Sequence, residues 1–161
     1  MARQQPIELF MPPNMLKAKV GGGLGGLDMS AMKRADMALE NLKSEFGAMI
    51  ADDVNKLAAA RTAYAEMPSP ANRAGLMRTA HDLKGNAPTF EFPLIGRVAA
   101  SLARLIGELP QNKPLPAALV DAHVNAVLVI LRQNMQSTTD KTAQALCAEL
   151  DARVDEVLAP K

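Results

Sequence analysis

Tryptophan is absent from the 161 residues, tyrosine occurs once, phenylalanine four times, cysteine once and histidine twice. The single Cys147 excludes an intramolecular disulfide, and one cysteine with two histidines cannot build a structural zinc site without several carboxylates. A reducing compartment is therefore expected. Charge of one sign is also missing: 18 Lys and Arg balance 17 Asp and Glu to a net +1. Nucleic acid and anionic lipid, which are met by clustered Lys and Arg, are not indicated as partners, so recognition should be local. Long hydrophobic runs are lacking too. The longest, Ala126-Val-Leu-Val-Ile-Leu131, is far short of a membrane span, and Met1-Ala-Arg-Gln-Gln-Pro6 offers no signal-peptide core. A cytoplasmic location is the expectation.

With 48% apolar and 22% charged residues, the chain has the composition of one folded domain. Residues 1–28 differ from the rest. Pro6, Pro12, Pro13 and the run Gly21-Gly-Gly-Leu-Gly-Gly26 read as a flexible leader, with residues 29–161 as the domain. The literal Gly21-x-Gly23-x-x-Gly26 match is no dinucleotide fingerprint, because that motif needs a strand-helix-strand unit and no sustained alternation of period two follows.

Five helices are predicted instead. From Asp28 or Ser30 to about Glu66, apolar residues recur at Leu39, Leu42, Phe46, Ile50, Val54 and Leu57, with Gly47 the point at which this helix can bend. Met67-Pro-Ser-Pro70 ends that helix, and Ser69 then caps a second with Pro70 in its first turn and a seam of Leu76, Ala80, Leu83, Ala87 and Phe90. Pro93 opens a third, with Leu94, Val98, Leu102 and Leu105, which closes before Pro110. A fourth carries Val120, Val124, Val127, Leu131 and Met135. The pattern Ser137-x-x-Asp140 is read as a capping box for a fifth, with Leu146, Leu150, Val154 and Val157. The fold class is all-α: an antiparallel four-helix bundle with an additional helix and a flexible N-terminal leader. Such a core, packed with Ala and Leu, tolerates the shortage of aromatics, and Cys147 and the methionines fill gaps in it.

One constellation carries chemistry. Spacing at 100° per residue puts His81 about 140° from the centre of its helix's apolar seam, facing solvent, with Lys84 and Gly85 as axial neighbours and Met77 one turn back. A helix-interior glycine costs about 1 kcal/mol relative to alanine, so Gly85 beside an exposed histidine calls for a reason. Lacking a side chain, it opens the imidazole to an incoming group, while Lys84 supplies a mobile cation for an anion delivered there. Phosphoryl transfer onto and off a histidine nitrogen fits both features. His123 lacks a following Lys-Gly pair and is read as a packing residue; Arg78 and Arg97 are read as surface decoration.

The stretch Ala80-His-Asp-Leu-Lys-Gly85 in a helix resembles the His-x-Leu-Lys-Gly signature of histidine-containing phosphotransfer (HPt) domains. Thr89-Phe-Glu-Phe-Pro-Leu94 and the helix after it look like a subgroup of free-standing bacterial members, and the resemblance covers about residues 30–158. It implies a phosphocarrier, not an enzyme in its own right, with His81 phosphorylated, Lys84 holding phosphoryl oxygens and Gly85 leaving the nitrogen accessible. It also implies a partner that is a response-regulator receiver domain or a histidine kinase, no cofactor or metal of its own, and Mg2+ supplied by the receiver. Met77, Pro88, Phe92 and Ile95 are expected to form an apolar docking rim, Phe90 to lie in the core, and Pro88 to end or kink the helix just after the site. The chain is expected to be a monomer. Two other readings are a dimeric sensor-kinase-type phosphoacceptor bundle, whose four helices come from two chains, and a non-catalytic helical adaptor.

Overall fold

A computed structural model describes residues 29–160; the expected leader, with its glycine run at 21–26, lies outside them. The described residues form five helices, α1 (Met29–Glu66), α2 (Pro70–Thr89), α3 (Pro93–Glu108), α4 (Ala117–Arg132) and α5 (Lys141–Leu158), and contain no strand. The chain divides into two compact units after Glu40. In the first, Met29, Met32, Met37 and Leu39 of α1 are exposed. The second holds the bundle.

Each boundary has a local cause. Ser69 adopts an extended conformation and its hydroxyl oxygen accepts from the Asn72 amide at 3.1 Å, with Pro70 supplying the first-turn φ of α2. Asp140 does the same for α5, accepting from Ala143 N at 2.9 Å. Ser137 is therefore not the cap; it lies three residues upstream, where its hydroxyl meets Thr139 instead. Helices α2 and α4 end in the same way. After α2, Glu91 takes φ 67°, Phe92 N donates to Ala87 O and Glu91 N to Pro88 O. After α4, Asn134 takes φ 51°, Met135 N donates to Ile130 O and Asn134 N to Leu131 O. Both are Schellman turns, built here without glycine.

Helix α3 is central, packing against α2, α4 and α5. Its Leu94, Ile95, Val98, Ala99, Leu102, Leu105 and Ile106 meet Leu76, Ala80, Leu83 and Ala87 of α2, Val120, Val124 and Val127 of α4, and Cys147, Leu150 and Val154 of α5. Helix α1 adds Ile50, Val54 and Leu57. The expected apolar face of the first helix is corrected at one end: Leu39 and Leu42 are 56% and 44% exposed. A periodic stripe marks a face without requiring that anything cover it.

Two polar groups tie the core together. His123 is fully buried, with Nδ1 2.8 Å from Leu119 O and Nε2 3.2 Å from Ser101 Oγ. A carbonyl only accepts, so Nδ1 carries the proton and Nε2 takes the serine hydroxyl, which is a neutral imidazole bridging α4 to α3. The packing role expected of His123 holds. Arg73, also buried, donates to Pro110 O at 3.2 Å, Lys113 O at 3.0 Å, Ile106 O at 2.9 Å and Leu109 O. It closes the C-terminus of α3, where the helix dipole is negative and favours a cation.

Replacing Arg73 with Ala strands those carbonyls and should lower the urea-unfolding free energy by about 3 kcal/mol. For His123, burial disfavours the charged form and holds its pKa below 6.5. Its contribution to stability is thus present above pH 6.5 and lost as pH falls through the folded value. Urea midpoints of the protein and of His123→Leu, compared through that window, should show a steeper acid loss in the parent.

Candidate functional site

The face of α2 opposite its seam carries the candidate residues. Leu76, Ala80, Leu83 and Ala87 have no exposed surface, which turns His81, Lys84, Gly85 and Pro88 outward; all four are exposed, and Met77 is half-buried at the edge toward α3. Among the described residues none hydrogen-bonds His81, and no carboxylate pairs with Lys84. The imidazole and the ammonium are both uncommitted, three residues apart on one helical surface.

The register of α2 against α3 is set by small residues. A Cβ placed on Gly96 would lie 2.9 Å from Pro88 Cγ, 3.0 Å from Pro88 Cδ and 3.4 Å from Lys84 O, while one on Gly107 would lie 3.6 Å from Met77 Cε. Met77 thus neighbours the end of α3 and Pro88 its beginning, so the two helices run antiparallel. Pro88 offers no amide hydrogen to the Lys84 carbonyl, and α2 ends one residue later at Thr89, just after the site as expected. A Cβ on Gly85, by contrast, would meet nothing within 4 Å.

Two of the four expected rim residues are not on the surface. Phe92 is 3% exposed and Ile95 fully buried, so neither can touch a partner. Phe92 is the residue after the left-handed Glu91 in the Schellman turn, a position that folds back onto the helix it terminates; Ile95 falls on the inward face of α3. The rim on this side reduces to Pro88 and part of Met77. Phe90 is half-buried, packed on the core and tilted against Phe46 at 5.4 Å between ring centroids. On the side toward α1, Asp53, Lys56, Thr79, Asp82 and Asn86 line a polar crevice, with Asn86 donating to Asp53 at 2.9 Å.

The arginines sort by commitment. On α3, Arg97 lies 2.9 Å from Asp151 and Arg104 pairs with Asp155, both carboxylates on α5. Arg97 is therefore a cross-helix ion pair. Arg78, one turn before His81 on α2, is exposed and pairs with no carboxylate among the described residues.

A helical bundle bearing, on an outward helix face, a histidine with no hydrogen-bond partner among the described residues agrees with the family model that matches the chain: Hpt domain, over residues 35–159. The chain belongs to the Hpt domain family. No curated protein and no solved structure matches it significantly. Membership makes this Hpt domain a phosphocarrier module of two-component phosphotransfer and not a self-contained enzyme. Among its described residues no helix is long and apolar enough to cross a membrane.

Buried Gly96 and exposed Gly85 make opposite expectations for stability. In this Hpt domain Gly96→Ala drives a methyl into the Pro88 ring and should cost about 1–3 kcal/mol. Gly85→Ala enters open space and should gain up to about 1 kcal/mol from helix propensity. Thermal midpoints of the two variants should move in opposite directions.

Proposed function

We propose that the chain is a cytoplasmic, monomeric phosphorelay intermediate: His81 accepts a phosphoryl group from a receiver-domain aspartyl phosphate or a histidine kinase and passes it to a response regulator. The observation that carries this reading is an exposed, uncommitted histidine beside a glycine that nothing in the fold requires. Gly85 weakens its helix without relieving any internal contact, so its use lies outside the molecule, in the approach of a partner. In the transfer step the lone pair of the unprotonated ring nitrogen forms a bond to phosphorus in line with the leaving oxygen. The P–O bond breaks, its electron pair returns to the aspartate carboxylate, and the proton on the other ring nitrogen passes to water. Lys84 holds the phosphoryl oxygens as they move, and Met77 and Pro88 give the partner an apolar edge. The receiver brings its own Mg2+, and this chain contributes no cofactor. In reverse, the same geometry loads the next regulator.

Incubation with phosphorylated receiver domains should place acid-labile phosphate on the protein and none on His81→Gln. Because His81 is exposed and makes no hydrogen bond among the described residues, the variant should keep its helical circular-dichroism signal; undiminished labelling of it would overturn the proposal.

A further inference from the structure

We infer that Arg78 is a second phosphoryl-holding cation of the site, acting across the imidazole from Lys84. This rests on the phosphotransfer reading of His81 and extends it to a residue that the sequence pattern alone leaves as surface decoration.

Three observations point there. First, position: Arg78 lies three residues before His81 and Lys84 three residues after, spacings that place both on the histidine's own surface. At roughly 100° per residue they fall on opposite sides of His81, about 60° either way, so the imidazole stands between two cations. Second, commitment: Arg97 and Arg104 of α3 are taken by Asp151 and Asp155 of α5, whereas Arg78 has no ion pair. Even Asp82, one turn further along α2, is not bonded to it; a basic residue N-terminal to an acidic one is the weaker order for such a pair. Third, room: the remaining axial neighbours of Arg78 are Ala74 and Gly75, and a Cβ on Gly75 would meet nothing within 4 Å. The guanidinium is free to swing over the imidazole.

The chemistry is complementary. A phosphoryl group in transfer spreads negative charge over three equatorial oxygens. Lys84 offers a point charge to one side; Arg78 offers a planar fork of N–H donors that can take two oxygens at once. Neither touches the attacking nitrogen, so both leave the in-line path clear.

The test uses the full chain with two donors. One is the phosphorylated receiver; the other is phosphoramidate, whose P–N bond breaks with ammonia leaving as His81 attacks, and which has no protein surface to dock. Arg78→Ala should slow labelling by both donors roughly tenfold, the effect of one charge-assisted hydrogen bond lost from the transition state. Arg78→Lys should recover part of that loss, and thermal midpoints should stay unchanged. Slowing with the receiver alone overturns the inference, since Arg78 then contacts the partner and not the phosphoryl group. Unchanged rates with both donors overturn it too, while leaving the role of His81 standing. If the parent chain takes no label on His81 from either donor, both readings fall together.

Discussion

A helix that presents one reactive side chain to a partner has to be held against rotation about its own axis. Turning α2 by roughly 100° would carry His81 to where its neighbour now stands. Two contacts with α3, at opposite ends of α2, resist that turn. At the start, the buried guanidinium of Arg73 is bonded to four carbonyls at and beyond the end of α3. At the finish, the Pro88 ring sits on the bare backbone of Gly96 at the beginning of α3. Both clamps act between the same two helices, so the register and the rotation of α2 are set together, and the seam from Leu76 to Ala87 only has to fill the space between.

The two clamps differ in kind. Arg73 has no carboxylate partner among the described residues; carbonyl dipoles at a helix C-terminus offset its charge, and its Nε is left without a partner. Such a group is costly to disturb and gains little from salt or solvent. The Pro88 contact is steric, a matter of tenths of an ångström against backbone. One end of the site is therefore fixed by directional hydrogen bonds and the other by exclusion of volume. Between them the exposed crest is left with side chains that no element of the fold restrains.

Most of the fold was legible because its signals are local. Prolines, helix-capping residues and apolar spacings of three and four fix where helices start, stop and face, and Ser69, Pro70 and Pro93 stand where such rules place them. The misreadings came from information that is not local. Ser137 and Asp140 both suit a cap, and only the path of the chain chooses Asp140. The left-handed residue after α2 is Glu91, with no glycine to announce the turn, so the inward fold of Phe92 was hidden. Leu39 and Leu42 belong to an apolar stripe, but spacing marks a face and does not say that the face is covered. Nothing local to Arg73 marks it for burial, which follows only from the end of α3 arriving beside it. The candidate site was legible to the extent that it is one helical stretch, His81 with Lys84 and Gly85; the expected rim was not, since it included Phe92 and Ile95, which lie after the turn and face inward.

A chain whose charges nearly cancel can still present a cationic site if its opposite charges are consumed elsewhere. Asp151 and Asp155 of α5 take Arg97 and Arg104 of α3, and Asp121 of α4 takes Arg61 of α1 at 2.6 Å. Those exposed pairs add little to stability individually. They do commit Arg61, Arg97 and Arg104, whereas Arg78 and Lys84, on either side of His81, pair with no carboxylate among the described residues. Salt screens exposed charges such as these beyond about 10 Å, so they act only on a group brought close to the helix.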